Sequence, residues 1–220
     1  MTREPANQPA APLVAAPDRP RVRVIVVDDH AAVCEGIRAM LASEVDLDPV
    51  AVTATAREAV ALAEHTRPDV MVLDYHLPDE DGLSLCLRLK STALPPAALI
   101  YSAFADEHLV ALAIIAGADA LMSKGADPDE LCHVVRALAN GSARLPTIAP
   151  VAMESVARRL DTNDLPILGM LAHRTPPAEI AATLRMDETW LNTRRWAMLK
   201  KLTGGSGRHT SPHRLPDAAA

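Results

Sequence analysis

Five residues far apart in the chain, Asp28, Asp29, Asp74, Ser102 and Lys124, are of the types that phosphoryl transfer to a carboxylate requires. Each closes or follows a short apolar run, in "VRVIVVDD", "DVMVLD", "AALIYSA" and "DALMSK". Three carboxylates crowded together repel one another and raise one another's pKa unless a cation neutralises them. Mg²⁺ suits that task, because it prefers an octahedron of oxygens, takes one or two carboxylates directly and leaves room for a phosphate oxygen. With an ammonium and a hydroxyl beside it, Asp74 becomes a candidate nucleophile, since such catalysis is mainly positioning and charge neutralisation. Taken singly, an acid after a strand is more often a helix cap than a nucleophile, Lys124 a solvated lysine and Ser102 a turn residue. The functional reading therefore rests on all five meeting in one place.

The elements that must bring them together are legible in the hydrophobic pattern. From residue 22, continuous apolar runs alternate with helical periodicity, as where "AAVCEGIRAML" places Val33, Ile37, Met40 and Leu41 on one face. Five strand–helix units in residues 22–140 predict an α/β fold, a five-stranded doubly wound parallel sheet with helices on both faces. Ligands of such sheets bind outside the carboxyl ends of the strands, where all five residues fall.

Composition agrees. Aromatic residues are 2% of the chain against 49% apolar overall, so Leu, Val, Ile and Ala must do the packing. The longest apolar stretch, "LVALAIIAGA" at 109–118, is about half of the ~20 residues a membrane span needs, and no membrane partner is expected. Cys34, Cys86 and Cys132 lie far apart without a C-x-x-C, so neither a zinc site nor a disulfide framework is indicated, and a reducing cytoplasm fits best. His30 has no second histidine at ligand spacing and is expected to make local hydrogen bonds. Residues 22–142 carry 8 basic against 19 acidic side chains, a net of −11, whereas 156–202 carry 8 against 5, a net of +3. An acidic module is thus joined to a mildly basic one that is free to meet phosphates.

The motifs "VDDH", "LDYHLPDEDG", "YSA" and "GADALMSK", in this order and spacing, resemble the receiver domain of two-component response regulators, over about residues 21–141. The resemblance implies a flavodoxin-like fold in which Asp74 accepts a phosphoryl group from a sensor histidine kinase. It implies that Asp29, Asp74 and the backbone carbonyl of His76 ligate Mg²⁺, that Asp28 acts through water, and that Ser102 and Lys124 bind phosphoryl oxygens. Such a protein is not an enzyme beyond self-phosphorylation and autodephosphorylation. One departure concerns the switch: receivers usually carry Tyr or Phe three residues before the lysine, and here that position is Leu121. Tyr101 adjoins Ser102 but, as its strand neighbour, should face the other side of the sheet.

Residues 160–202 divide into three helical patterns with breaks near Arg174 and Met186. Asp187 can cap the third and Thr175 the second, with Pro176 and Pro177 in its first turn. Pro166 would cost roughly 3 kcal/mol inside a helix, so the first helix is expected to start late, capped by Asn163. The third helix sets Leu191, Met198, Leu199 and Leu202 on one face and basic residues on the other. By itself this is more readily a solvated face than a DNA-binding one. The pattern resembles the LuxR-type helix-turn-helix of NarL/FixJ-type regulators at Leu160, Ile167, Leu171, Glu179, Ile180, Leu184, Leu191 and Leu199, among others. It departs where the recognition helix usually begins Thr-Val-Lys, here Trp190-Leu191-Asn192, and in Trp196 at a place usually polar.

The expected organisation is a flexible Pro/Ala-rich arm (1–20), a receiver domain (21–141), a linker (142–156), a small all-α helix-turn-helix domain (157–203) and a disordered tail (204–220). The resemblance implies a transcriptional regulator binding double-stranded DNA through Asn192, Thr193, Arg194, Arg195, Lys200 and Lys201. It implies a homodimer through the helix-four, strand-five, helix-five face, about 106–139. The alternative is a receiver-based interaction protein whose divergent C-terminal module does not read DNA. A phosphohydrolase would need a second carboxylate where His76 stands, and a dinucleotide-binding fold would need glycines that "DDHAAVCEG" lacks.

Overall fold

Residues 21–142 and 145–204 are described by a computed structural model of the chain. The expected arm, 1–20, and the tail from residue 205 lie outside the described residues.

Strands β1 (Val22–Val27), β2 (Leu47–Thr53), β3 (Val70–Asp74), β4 (Ala97–Ser102) and β5 (Ala120–Ser123) alternate with helices α1 (Ala31–Ser43), α2 (Ala56–Thr66), α3 (Gly82–Lys90), α4 (Glu107–Ala116) and α5 (Pro128–Ala139). They form one parallel sheet in the order β2-β1-β3-β4-β5. The order reverses at β1, so β1 and β3 lie side by side and their carboxyl ends flank the crevice typical of this architecture. Side chains alternate across the sheet. Ile25, Val27, Met71, Leu73 and Ile100 point to the α2, α3 and α4 side, whereas Val24, Val26, Val72, Leu99 and Tyr101 point to the α1 and α5 side. Every residue of β3 is buried, which explains its unbroken apolar run.

Local chemistry places the helix starts. Thr55, Asp81, Asp106 and Asp127 accept backbone N–H bonds from the first turns of α2 to α5, and Pro128 begins α5 where no amide partner is needed. Gly117 ends α4 in the left-handed conformation, at φ 77°.

The C-terminal part contains α6 (Pro150–Ala157), a 3-10 turn (Thr162–Asp164), α7 (Leu165–Ala172), α8 (Pro177–Leu184) and α9 (Glu188–Thr203). It departs from expectation in three places. The segment 142–156 is not linker throughout, because α6 starts at Pro150 and buries Val156. Pro166 does lie in the first turn of α7, but Asp164 rather than Asn163 occupies the cap position, and its buried carboxylate binds Arg194 instead of the helix. Thr175 does not cap α8: its backbone N–H closes the end of α7 on Met170, and Pro176 takes the cap position without a side-chain bond. Asp187 caps α9 through the Trp190 N–H.

These helices do not stand apart from the sheet. Ile167, Leu168, Ile180, Leu191, Met198 and Leu199 share one continuous core with α3 and α4, and α6, α7 and α9 all pack on α4. The helix-four face is therefore covered by this chain's own helices and is not open to a second copy in this arrangement.

The β3–α3 loop is held by a close approach of Gly82, whose N–H donates to Tyr75 O. A Cβ at Gly82 would stand 2.0 Å from the backbone oxygen of Asp74. Gly82→Ala is expected to destabilise the protein by about 1–3 kcal/mol in urea denaturation, because backbone rather than a side-chain tip must yield; a neutral outcome would show that the loop can move away from Asp74.

Candidate functional site

The ends of β1, β3, β4 and β5 converge. Asp28 follows β1, Asp74 ends β3, Ser102 ends β4 beside Ser123, and Lys124 follows β5 with its N–H bonded to Ser102 O. Asp28 and Asp74 are 2% and 4% exposed, and Ser102 1%. The Lys124 ammonium reaches both acids, 2.6 Å from Asp28 Oδ2 and 2.9 Å from Asp74 Oδ2. Burial disfavours its charge, but the hydrogen bonds and fields of Asp74 and Asp28 outweigh this and hold the pKa above the ordinary lysine value.

Asp29 is partly exposed at the rim. His30, which also lies there, donates its backbone N–H to Asp28 Oδ1 at 2.9 Å and brings Nδ1 within 2.7 Å of Asp29 Oδ1. Ligand atoms of Asp28, Asp29, His30 and Asp74 all lie within 4.8 Å of one another. Lys124 alone cannot balance three carboxylates, so the donor set suits a divalent cation on charge and on spacing. His76 lies in the loop beyond Asp74, bridged to Asp81 and edge-on to the Tyr75 ring. Ser102 Oγ donates to Phe104 O and accepts from Phe104 N, both at 3.2 Å, so its hydroxyl ties the β4–α4 loop to the sheet end.

The positions flagged for a switch face opposite ways. Leu121 packs with the α4-side core, while Tyr101 lies in the α1 and α5 cluster, where burial pushes its phenol pKa up.

The basic residues of α9 are mostly engaged. Arg194 binds Asp164 at 2.8 Å through Nε and lies over the Trp190 ring, 5.4 Å from its centroid. Lys201 pairs with Asp161 at 2.6 Å. Thr193 and Lys200 are exposed, and Asn192 Oδ1 accepts from Arg195 Nη1. Arg195 corrects the sequence reading most clearly. Instead of facing solvent it is 2% exposed, with Nε donating 2.8 Å to Ile115 O at the end of α4. The helix that would meet DNA is thus docked on the receiver. A signal for this was present: α4 is apolar on nearly every face, and a helix of that kind is covered on all sides.

The chain matches the family model "Response regulator receiver domain" over residues 24–136, just over half its length. It is 32% identical to the DNA-binding transcriptional activator DevR/DosR of Mycobacterium tuberculosis, over 68% of this chain and 69% of that protein. It is also 32% identical to the transcriptional regulatory protein UhpA of Salmonella typhimurium, over 89% of this chain and 98% of that one. Among solved structures, the receiver domain of the putative response regulator NarL from M. tuberculosis aligns with a TM-score of 0.54 at 30% identity, covering 56% of this chain and 99% of that one. The sheet order, the convergent acids and these likenesses agree: the chain belongs to the response regulator receiver family, of the NarL type with a C-terminal helical region.

Proposed function

We propose that this protein is phosphorylated on Asp74 by a sensor histidine kinase and thereby regulates transcription by binding double-stranded DNA. One observation carries the reading: a buried carboxylate at the switch-point crevice, bonded to Lys124 and ringed by Asp28, Asp29 and Ser102. In this reading Asp29, Asp74 and the His76 carbonyl hold Mg²⁺, with Asp28 acting through water. A bound Mg²⁺ neutralises charge on the incoming phosphoryl oxygens. An Asp74 Oδ attacks phosphorus, the P–N bond to the kinase imidazole breaks with its electron pair leaving on nitrogen, and an acyl phosphate forms. Lys124 then turns its ammonium, and Ser102 its hydroxyl, toward the phosphoryl oxygens. The same residues support self-phosphorylation from small phosphodonors and autodephosphorylation.

The consequence follows from what Ser102 holds. Its hydroxyl cannot serve the phosphoryl group and Phe104 O at once, so the loop leading into α4 loses a tether. The modification adds about 1.5–2 negative charges, which biases α4 toward a second arrangement. Release of α9 from α4 frees Arg195 and its neighbours for phosphates and base edges. Pairing of two copies through α4, β5 and α5 then follows release rather than preceding it. The relatives' descriptions as transcriptional regulators support this reading. A second reading, a receiver-based interaction protein, draws on the commitment of Arg194 and Arg195 to protein contacts.

Three outcomes are expected. Mg²⁺ at ten times its dissociation constant should raise the unfolding free energy by about 1.4 kcal/mol, and Asp29→Ala should abolish the gain in urea denaturation. Wild type should take up label from acetyl phosphate whereas Asp74→Asn should not; equal labelling would reassign the acceptor. Selection on genomic DNA with phosphorylated protein should enrich particular sites and Asp74→Asn should not. On those sites binding should weaken steeply with salt, and Lys200→Gln should reduce the slope by about 1. Absence of binding in both phospho-states would favour the interaction reading.

A further inference from the structure

Between the receiver and the C-terminal helices lies a cleft of about 870 Å³, walled by the end of α4, the first turn of α6 and the segment before it, and the α7–α8 turn. Small-ligand sites typically measure about 300–1,000 Å³ and favour domain junctions. Ile114, Ile148, Met153 and Leu171 supply apolar wall. Its acid, Asp119, is already bound by Lys90 Nζ and by the Ala98 N–H.

The cationic side is less satisfied. Arg195 spends Nε on Ile115 O and Nη1 on Asn192 Oδ1, and among the described residues no acceptor meets Nη2 and no carboxylate pairs with the guanidinium. Nη2 lies against Gly117 on the cleft wall, so close that a Cβ there would stand 2.5 Å from it. Burial pushes the Arg195 pKa down to about 10, which still leaves it charged at neutral pH. Arg174 also faces the cleft and uses one N–H on Leu145 O at 2.9 Å. Among the described residues no fully buried side-chain nitrogen lacks a partner, so Nη2 is open to the cleft it lines, and a carboxylate is the geometric complement of a guanidinium edge. A bare phosphate fits less well, since its several oxygens would face apolar wall and few free donors.

We propose that this cleft binds a small amphipathic carboxylate, with the carboxylate on Nη2 of Arg195, in the field of Arg174, and the apolar body against Met153 and Ile148. Such a ligand touches the receiver, α6 and the segment before it, the α7–α8 turn and Arg195 of α9 together. It therefore binds the docked arrangement more tightly than a separated one and favours docking. The site does not depend on DNA recognition.

Calorimetric titration of the full-length protein with octanoate tests this. Saturable binding at one site per chain is expected, weakened about tenfold or more by Arg195→Gln, the loss of one charge-assisted hydrogen bond. Met153→Trp, which fills the apolar end and leaves labelling of Asp74 unchanged, should weaken it similarly. Octanol and inorganic phosphate should not saturate. The proposal is overturned if wild type shows no saturable octanoate binding, if both variants bind as wild type does, or if phosphate binds as tightly as octanoate.

Discussion

Helix α4 is apolar on nearly every face, and that single constraint ties the two halves of the molecule together. One side of it lies on the sheet, so an uncovered opposite side would expose Leu, Val and Ile to water. Each such side chain is worth roughly 1.5–3 kcal/mol when fully buried. The C-terminal helices supply the cover, and α9 closes it with Arg195 at the carboxyl end of α4. A guanidinium suits that place because the last carbonyls of a helix lack intrahelical partners and carry partial negative charge. The amino end of the same helix begins five residues after Ser102, which ends β4. One rigid element therefore has the candidate phosphoryl site at one end and the docked basic helix at the other.

The acidic crevice is arranged for charge to arrive. Lys124 is shared between Asp28 and Asp74, and Asp29 faces outward with His30 beside it. This leaves more negative charge than one ammonium can balance, so the pocket favours cations as it stands. In the proposed reading, an incoming phosphoryl group adds its own negative charge to this crevice, which a cation beside Lys124 would offset. The hydroxyl of Ser102 is meanwhile occupied by Phe104, so the proposed chemistry would compete with the loop before α4 for one proton donor.

Much of this was legible from residue types. The unbroken apolar runs of β1 and β3 predict strands buried on both faces, and Asp28, Asp74, Ser102 and Lys124 meet because strand ends of a parallel sheet share one edge. Prolines behaved as local rules require: Pro128, Pro150, Pro166 and Pro177 all fall in first turns. The caps were less legible, because a capping side chain has competing partners. Asp187 serves α9, but Asp164 spends its carboxylate on Arg194, thirty residues away, and Thr175 uses only its backbone. The helix α6 lay hidden in a segment whose Gly, Ser and Pro content reads as linker.

Hydrophobic period and residue types acting locally suffice for the strand–helix alternation, the sheet edge on which the acids meet and the basic character of α9. The burial of Arg195, the cover of α4 by its own chain and the cleft beside Gly117 with an unpartnered guanidinium donor emerge only from the packing of distant segments. The physical reason is range: a helical period shows which residues share a face but not what meets that face. For α9 the partner is a helix some eighty residues earlier, bound through a backbone carbonyl that carries no mark in the sequence.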